Sequence, residues 1–420
     1  MSDPQPTPAV VGRSLTRDFR LLVILFVMFR LITAIVYQPY IVNEVERGLT
    51  TWGDLRYHYD VARQSADGHY PYADFWYEYP PLFPALSVAL YRFLALRGAV
   101  DYTAYASALG LILLAADAGN LLLIRRIARR LYGDARATEL CWVYALLPMF
   151  LVLNWWTFDG LIALFLLLGL ALLLEGRMAP SGAATAAGTL TKFVPAALLP
   201  AVWRFRPRRE ALLWTGVAAG ATLLALVPLL LAGGEYAAAS LTAQFSKASY
   251  QTVWALLDGN LTTGIFGSVP DKYDAANAYA LTGNPAVIPW WLRLIPFAAI
   301  GMYIYTRRLR DDDRGVLAFA TITLVLFVLW SQGWSPQWMS WLAPLLLLCF
   351  PQFDNVVAIL ILGLLAFVEY PMLFGHTGDT AGALTGPAAL ALHLTVTVRT
   401  VLLVGYAAAL YRLLTSKAAS

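Results

Sequence analysis

Apolar runs of about twenty residues recur along most of this 420-residue chain, and they restrict its fold more than any other feature. A helix needs about 20 mainly apolar residues to cross a bilayer. Hydrophobic residues make up 59% of the sequence and charged residues 13%, whereas soluble domains carry about 25% charged residues. The sequence therefore predicts an all-α, polytopic membrane protein.

Charge and cysteine content argue against a nucleic-acid-binding protein, a disulfide-rich protein and a protein with a thiolate metal site. The net charge is +4, and the Lys and Arg residues stand at the ends of apolar runs rather than in one patch, so a nucleic-acid partner is not expected. The two cysteines, Cys141 and Cys349, both lie inside apolar runs. Neither a disulfide framework nor a thiolate metal site follows from them.

Basic residues predict which side of the membrane each segment faces, because cytoplasmic ends of spans are rich in Lys and Arg. Three arginines lie in residues 1–20, so this tail is expected in the cytoplasm, and the apolar run after it has no small-residue cleavage site typical of a signal peptide. The first span is then 21–42, and residues 43–103 form the first extracytoplasmic loop.

The basic run at 125–130 should also be cytoplasmic, which leaves room for one crossing between the first outer loop and this run. We therefore expect 104–124 to be the second span and 80–97 to be an interfacial helix. The segment 182–202 has basic residues on both sides and Pro195 near its middle. It is predicted to be a broken or re-entrant hairpin, since irregular backbone is tolerated only inside protein or beside a water-filled cavity.

The remaining apolar runs complete a single transmembrane domain over 21–414, with about ten full spans and both termini inside. A second large extracytoplasmic segment is expected over 233–285, and a cytoplasmic tail over 415–420. The further spans are expected at 139–157, 160–175, 211–232, 286–306, 315–331, 338–352, 355–370 and 386–412.

Residues 51–82 hold five acidic residues, two histidines and several tyrosines between two apolar segments. So many polar groups beside a membrane predict a catalytic carboxylate, although acids can also simply solvate a surface loop. Asp54 and Asp60 are the candidates. They are six residues apart, so a helix would not point both at one site.

Two further charged residues are candidates for the site. Asp159 follows two tryptophans at the outer end of a span, where an acid is often a helix N-cap. Alternatively it faces Asp54 across a cavity and binds acceptor hydroxyls or a divalent cation. Lys192 lies within an apolar run, where ionisable groups are costly and usually functional. It either neutralises a lipid phosphate or snorkels to the interface.

The other embedded charges are Arg30 and Asp117, each roughly 12–14 Å from the cytoplasmic end of its helix at 1.5 Å per residue. We expect them to pair and to lock the first two spans together. Between two late spans, residues 331–346 place three tryptophans beside polar groups, which is typical of an aromatic belt or of a surface that stacks against sugars. Glu369 and His376, on the last outer turn, are expected to be exposed.

Several motifs follow one another along the chain. The first outer loop has D-L-R-Y from Asp54, then G-H-Y-P-Y-A-D, then E-Y-P-P-L. Later segments are L-T-K-F-V-P-A-A-L-L-P, S-Y-Q-T-V-W and S-P-Q-W-M-S-W-L-A-P-L-L. Together these motifs resemble those of glycosyltransferase family 87, the bacterial mannosyltransferases of the GT-C fold. In the last motif Trp338 replaces the usual tyrosine.

The resemblance implies an inverting glycosyltransferase that uses a polyprenyl-phosphate sugar, with mannose as the expected sugar and a lipid or glycan as acceptor. Asp54, the acid of D-L-R-Y, would be the general base. Asp60 is held in reserve, because an extra acid at a position that is uncharged in many members leaves the choice between the two open. We do not infer a metal or another cofactor for this chain from its resemblance to the family. The residues expected to bind substrate are Arg56, Tyr57, His58, Glu78, Tyr79, Asp159, Lys192, Lys247, Tyr250, Trp334, Gln337 and Trp338.

A membrane transporter or lipid flippase is the alternative function. Transporters place their binding charges near the midplane between internal repeats, whereas here the acids cluster in an outer loop and the sequence has no visible repeat. A nucleotide-sugar donor is disfavoured because the short cytoplasmic loops lack a D-x-D pair outside the arginine-flanked run 311–313. The enzyme is therefore expected in the cell membrane with its site on the extracytoplasmic face.

Overall fold

A computed structural model describes the fold of residues 15–37, 53–264, 269–377 and 383–416. The predicted start of the first outer loop, 43–52, and most of both terminal tails lie outside the described residues. The described residues form helices and no β-strand, with isolated bridges only. The α-helices are α1 (Phe19–Tyr37), α2 (Gly53–Arg63), α3 (Leu82–Ala95), α4 (Tyr102–Leu146), α5 (Pro148–Trp156), α6 (Asp159–Leu174), α7 (Met178–Thr191), α8 (Leu199–Phe205), α9 (Arg208–Ser246), α10 (Val253–Asp258), α11 (Trp290–Thr306), α12 (Asp313–Trp330), α13 (Met339–Cys349), α14 (Phe353–Phe367), α15 (Phe374–Thr377) and α16 (Gly386–Thr415).

Helix length gives fewer candidate spans than the ten that the sequence predicted. Among the described residues, five helical stretches are long and apolar enough to cross a membrane: α4, α9, α12, α14 continued to His376, and α16. The pair α5–α6, bent by 106°, makes a sixth if it is one span. The difference arises because backbone breaks divide several apolar runs into helices shorter than a full crossing.

Two long helices extend past the boundaries expected from charge. Helix α4 continues through the basic run and turns at Gly133 (φ 82°), and α9 reaches the second outer segment after a turn at Gly234 (φ 52°). Glycine adopts such positive φ values without steric cost. The arginines of the basic run lie on the helix surface, where Arg126 pairs with Glu175, so they do not end the helix.

A short helix and a helix break lie at the two places where the sequence predicted irregular segments, and the interfacial position of the short helix stays a prediction. Helix α3 has 14 residues, which is about 21 Å at 1.5 Å per residue. That is shorter than the roughly 30 Å hydrocarbon core, in agreement with a helix that does not cross. Helix α7 ends at Thr191, Lys192 is extended (φ −163°, ψ 141°), and a 3₁₀ turn over Val194–Leu198 leads into α8. The predicted break is therefore confirmed, whereas a re-entrant path stays a prediction.

The predicted pair of embedded charges is confirmed. The Arg30 guanidinium donates to the Asp117 carboxylate, which also accepts from the Tyr144 hydroxyl and, at 2.7 Å, from the Asn154 amide. The guanidinium carbon lies 3.6 Å from the centre of the Phe26 ring. Arg30 and Asp117 are 5% and 1% exposed. The pair thus joins α1, α4 and α5 in the core.

Candidate functional site

Helix α2 separates the two acids that the sequence left as alternatives. At 3.6 residues per turn, positions six apart differ by about 240° around a helix. Asp60 lies on the side of Arg56, and their side chains, 28% and 44% exposed, form an ion pair of 3.2 Å. Asp54 lies in the first turn of the helix and is half-buried. An acid is favourable there because it faces the positive end of the helix dipole.

The charges of Asp54 and Asp159 act on the same two tyrosines. Burial, together with the negative charges of Asp159 and Asp54, raises the pKa of the Tyr250 hydroxyl to about 12. Burial raises the pKa of the Tyr79 hydroxyl well above its usual value. The negative charge of Asp54 adds to this shift, and the charge of Asp159 adds less. Ring contacts place the first outer loop and the start of α6 together: Phe158, which precedes Asp159, lies 5.5 Å from His58 of α2 and 4.9 Å from Tyr79, measured between ring centres. We call the space beside them the Asp54 site.

Lys192 lies at the edge of this space, at the break between α7 and the 3₁₀ turn. Its ammonium group is 3.2 and 3.3 Å from the two carboxylate oxygens of Asp159, and its side chain is 15% exposed. Asp159 is fully buried and also accepts from the Trp341 indole at 3.1 Å. Its carboxylate makes no capping bond, because Phe158 holds the N-cap position of α6. The ammonium lies 5.7 Å from the ring centres of Tyr79, Phe158 and Trp338.

Glu78 forms a buried ion pair that sequence reasoning missed. Its carboxylate accepts from Lys272 Nζ at 2.8 Å and from the Tyr57 hydroxyl at 2.7 Å. Lys272 is fully buried with its ammonium 3.9 Å from the Trp76 ring centre. Burial acts to raise the pKa of Glu78, but Lys272 and Lys247 outweigh it, so the pKa is lowered. The D-K-Y context of Lys272 is that of a solvated loop and gave no signal.

Lys247 adds a third lysine to the region, from just beyond the end of α9. Burial lowers the pKa of its ammonium group to about 8. The negative charges of Glu78 and Asp54 oppose this shift, while the positive charges of Lys272 and Lys192 add to it. Lys247 is therefore mostly protonated at neutral pH and loses its charge in the mildly alkaline range.

His58 lies in an aromatic layer rather than at the surface of the site. It is 2% exposed, and its Nδ1 forms a 2.8 Å hydrogen bond with the Tyr77 hydroxyl. Burial lowers its pKa to about 3, so the ring is neutral. It packs edge-on against Phe83 and Phe158. Its contact with substrate stays a prediction, as does that of Arg56.

The segment that follows α9 joins residues 332–334, between α12 and α13, by backbone pairing. The Tyr250 N–H donates to the Gln332 carbonyl at 3.0 Å, and the Trp334 N–H donates to the Tyr250 carbonyl at 3.2 Å. A β-carbon on Gly333 would lie 2.4 Å from the Tyr250 ring, so only glycine fits without a shift. This pairing brings Tyr250 and Trp338 to the same site.

The three residues selected from that motif have different surroundings. Trp338 lies beside the Lys192 ammonium group. Gln337 is buried, with 7% of its surface exposed. Trp334 is buried, and its indole donates to Glu369 at 2.9 Å. The expectation that Glu369 is exposed was therefore wrong, since it is fully buried and bonded to Arg399. His376 is exposed, as expected.

Arg399 was missed, although an arginine inside the apolar run 386–412 was a usable signal. It also donates to the Gln251 carbonyl and lies 4.5 Å from the Trp334 ring centre. Within the described part of the chain, no group of three or more His, Cys, Asp or Glu side chains is placed to hold a metal ion.

Comparisons with known proteins agree with this architecture. The model of glycosyltransferase family 87 matches residues 76–332. Among solved structures, apo ArnT from Cupriavidus metallidurans has a TM-score of 0.50 at 18% identity, over 93% of this chain and 72% of that one. The apo oligosaccharyltransferase of Archaeoglobus fulgidus has a TM-score of 0.46 at 13% identity, over 96% of this chain and 57% of that one, so this chain spans little more than half its length. A comparison with curated protein sequences found no match.

Proposed function

Because the chain belongs to glycosyltransferase family 87 and has several helices able to cross a membrane, we propose that it transfers a sugar from a polyprenyl-phosphate donor to a hydroxyl group with inversion. Mannose is the proposed sugar, and a lipid or glycan on the extracytoplasmic side is the proposed acceptor. The observation that carries this proposal is that α2, which bears Asp54, packs through His58 against Phe158, the residue before the Asp159 that pairs with Lys192.

Asp54 is the proposed general base. A single half-buried carboxylate takes the proton of the acceptor hydroxyl as its oxygen attacks the anomeric carbon. The bond between that carbon and the phosphate oxygen breaks, and the lipid phosphate leaves with the bonding electrons. No sugar is attached to the enzyme at any stage, so the configuration at the anomeric carbon inverts.

Lys192 and Lys247 are proposed to hold the phosphate of the donor. They come from separate segments and are close enough for their charges to repel, so an anion between them would relieve that repulsion. Preplaced positive charge in a site that excludes water also stabilises the negative charge that develops on a leaving phosphate. Trp338 and Tyr79, which already surround the Lys192 ammonium, would line the sugar.

The test uses Asp54→Asn and its matched control Asp60→Asn, which remove the same charge from different sides of α2. With radiolabelled polyprenyl-phosphate mannose and octyl α-mannoside as acceptor, Asp54→Asn should lower transfer by about 10²–10⁴-fold, as expected for loss of a general base. Asp60→Asn should change it by no more than about fivefold, since a surface ion pair is worth about 0–1 kcal/mol.

Full activity in Asp54→Asn would refute its assignment as base. Equal use of polyprenyl-phosphate glucose would refute the preference for mannose. If the purified wild-type protein transferred no sugar but moved the donor across the bilayer of a liposome, the transporter alternative would be correct instead.

A further inference from the structure

The buried ion pair of Arg399 and Glu369 contacts two segments that lead towards Lys192. Arg399 belongs to α16, and Glu369 lies two residues past the end of α14. Glu369 is fully buried and Arg399 is 3% exposed. One nitrogen of the guanidinium donates to the Glu369 carboxylate, and another donates to the Gln251 carbonyl. The rigid fork of an arginine side chain suits such a bridge.

The contact with Gln251 holds a backbone conformation that this residue would not favour by itself. Its φ is 52°, in the left-handed region, where the β-carbon crowds the following carbonyl oxygen. Gln251 is one of two non-glycine residues with a positive φ in the described part of the chain. It follows Tyr250, whose N–H and carbonyl pair with residues 332–334. Arg399 therefore holds the turn that comes directly after this pairing.

The second contact leads through tryptophan rings to Lys192. Glu369 accepts from the Trp334 indole at 2.9 Å, and the Arg399 guanidinium lies 4.5 Å from the Trp334 ring centre. The ring centres of Trp334 and Trp338 are 5.7 Å apart, and the Lys192 ammonium is 5.7 Å from the Trp338 ring centre. Closely packed side chains transmit displacement, so the orientation of Trp334 affects the ring beside Lys192.

A second buried bond joins the same two helices without involving either segment. The Tyr406 hydroxyl of α16 donates to the Asn355 amide oxygen of α14 at 2.7 Å, and both residues are buried. Tyr406 lies seven residues after Arg399, which is about two helical turns. The Tyr406–Asn355 bond therefore serves as a matched control for the joining of α14 and α16.

We propose that Arg399 is a positioning residue for sugar transfer. It holds Gln251, and with it Tyr250, while its pair with Glu369 holds Trp334, so Tyr250 and Trp338 are already oriented when the donor binds. Arg399 acts through these residues and not on the reacting atoms. This inference rests on the proposed function, because it takes the space beside Lys192 as the place of the donor.

The experiment replaces both charges with Arg399→Gln/Glu369→Gln, since a buried pair removed as a unit is better tolerated than one charge left alone. The Glu369→Gln amide keeps an oxygen for the Trp334 indole. The full-length enzyme is assayed in nanodiscs with polyprenyl-phosphate mannose and octyl α-mannoside, and thermal unfolding is measured alongside. The kcat/KM for the donor should fall about 10–100-fold, because a misplacement of about 1 Å caused far from the reacting atoms can cost about 10²-fold. Tyr406→Phe should change kcat/KM by less than about threefold, because the reacting groups stay in place.

Substitutions of Gln251 give a readout that a merely structural role of Arg399 would not move. Glycine adopts a positive φ without crowding, so adding Gln251→Gly to the neutral pair should restore kcat/KM by about fivefold or more. Gln251→Ala removes the same side-chain atoms beyond the β-carbon but keeps the crowding, and it should restore nothing. The comparison of glycine with alanine therefore isolates the backbone conformation that Arg399 holds.

A kcat/KM of the neutral pair within about threefold of wild type would make the pair a structural element only. Equal effects of Gln251→Gly and Gln251→Ala in that background would also overturn the positioning role. If the neutral pair does not fold, the same comparison is made in Arg399→Lys, which keeps a charge beside Glu369 but has one nitrogen in place of the fork. These outcomes leave the proposed function standing. Absence of any Asp54-dependent transfer by the wild type would overturn the proposed function, and this inference with it.

Discussion

Two buried ion pairs have similar chemistry and different surroundings. Asp117 receives hydrogen bonds from Arg30, Tyr144 and Asn154, and the Arg30 side chain is 4% exposed. Asp159 receives bonds from Lys192 and Trp341, but the Lys192 side chain is 15% exposed and faces three aromatic rings. The first pair is enclosed by the core, whereas one member of the second remains open to a ligand.

The comparison teaches that burial of a charge does not by itself mark a functional site. Removing one partner of a buried pair leaves an uncompensated charge, while replacing both with apolar residues is often tolerated. A pair that only holds helices together should therefore be replaceable as a unit. A pair that binds substrate should not be, because its charge is needed for the ligand.

The largest expected effect is on stability, at the enclosed pair. Asp117→Leu should lower the free energy of unfolding by about 3–5 kcal/mol, because Arg30 is left buried without its partner. The double variant Arg30→Met/Asp117→Leu should recover part of that loss and keep sugar transfer, because the unpaired Arg30 charge is removed while Tyr144 and Asn154 still lack their acceptor. Thermal unfolding of both variants in detergent measures this, and a double variant no more stable than the single one would show that the two residues are not coupled.

For the Lys192–Asp159 pair we expect the opposite result in activity, because replacing both residues should abolish most sugar transfer while the protein stays folded. Lys192→Met/Asp159→Leu should be within about 1–2 kcal/mol of wild-type stability, yet transfer should fall by about 10²–10³-fold, as for loss of one electrostatic group in an active site. The same unfolding and transfer assays apply. Recovery of activity in this double variant would place the pair with Arg30 and Asp117 as a structural element.

Lys247 should make donor binding sensitive to alkaline pH. Its pKa is about 8, so the protonated, phosphate-binding form is lost as the pH rises through that value. The donor KM should increase about fivefold between pH 8 and pH 9, the change in the protonated fraction for a single group. Lys247→Arg stays charged in this range, and its donor KM should be flat. A wild-type profile that is equally flat would contradict the role of Lys247.

The smallest effect is expected at Trp338. Trp338→Tyr keeps a ring beside Lys192, and the change in cation–π energy is about 0.5–1 kcal/mol or less. Transfer should fall by no more than about fivefold, while Trp338→Ala should fall further. Steady-state rates for both variants measure the difference, and equal losses would mean that the ring itself is not what the site requires.

Local pattern determined much of this protein. The apolar runs predicted the helical membrane class, and charged residues inside them predicted the Arg30–Asp117 pair and the importance of Lys192. The polar character of 51–82 identified the loop that carries Asp54. The Arg30–Asp117 prediction succeeds because a charge in an apolar run is costly wherever the chain folds, so its presence is informative without any knowledge of its neighbours. The roles of Lys192 and Asp54 stay predictions.

The tertiary structure decided the contacts between distant residues that carry no local signal, and it placed the helix turns at Gly133 and Gly234. Lys272 joins Glu78 across 194 positions, and Arg399 joins Glu369 in a cluster with Trp334. Lys272 gave no signal because a lysine in a polar loop normally stays in water, and its burial depends on a carboxylate supplied by another segment. Helix periodicity reports only residues three or four apart, so contacts between distant segments, including those that form the Asp54 site, come from packing.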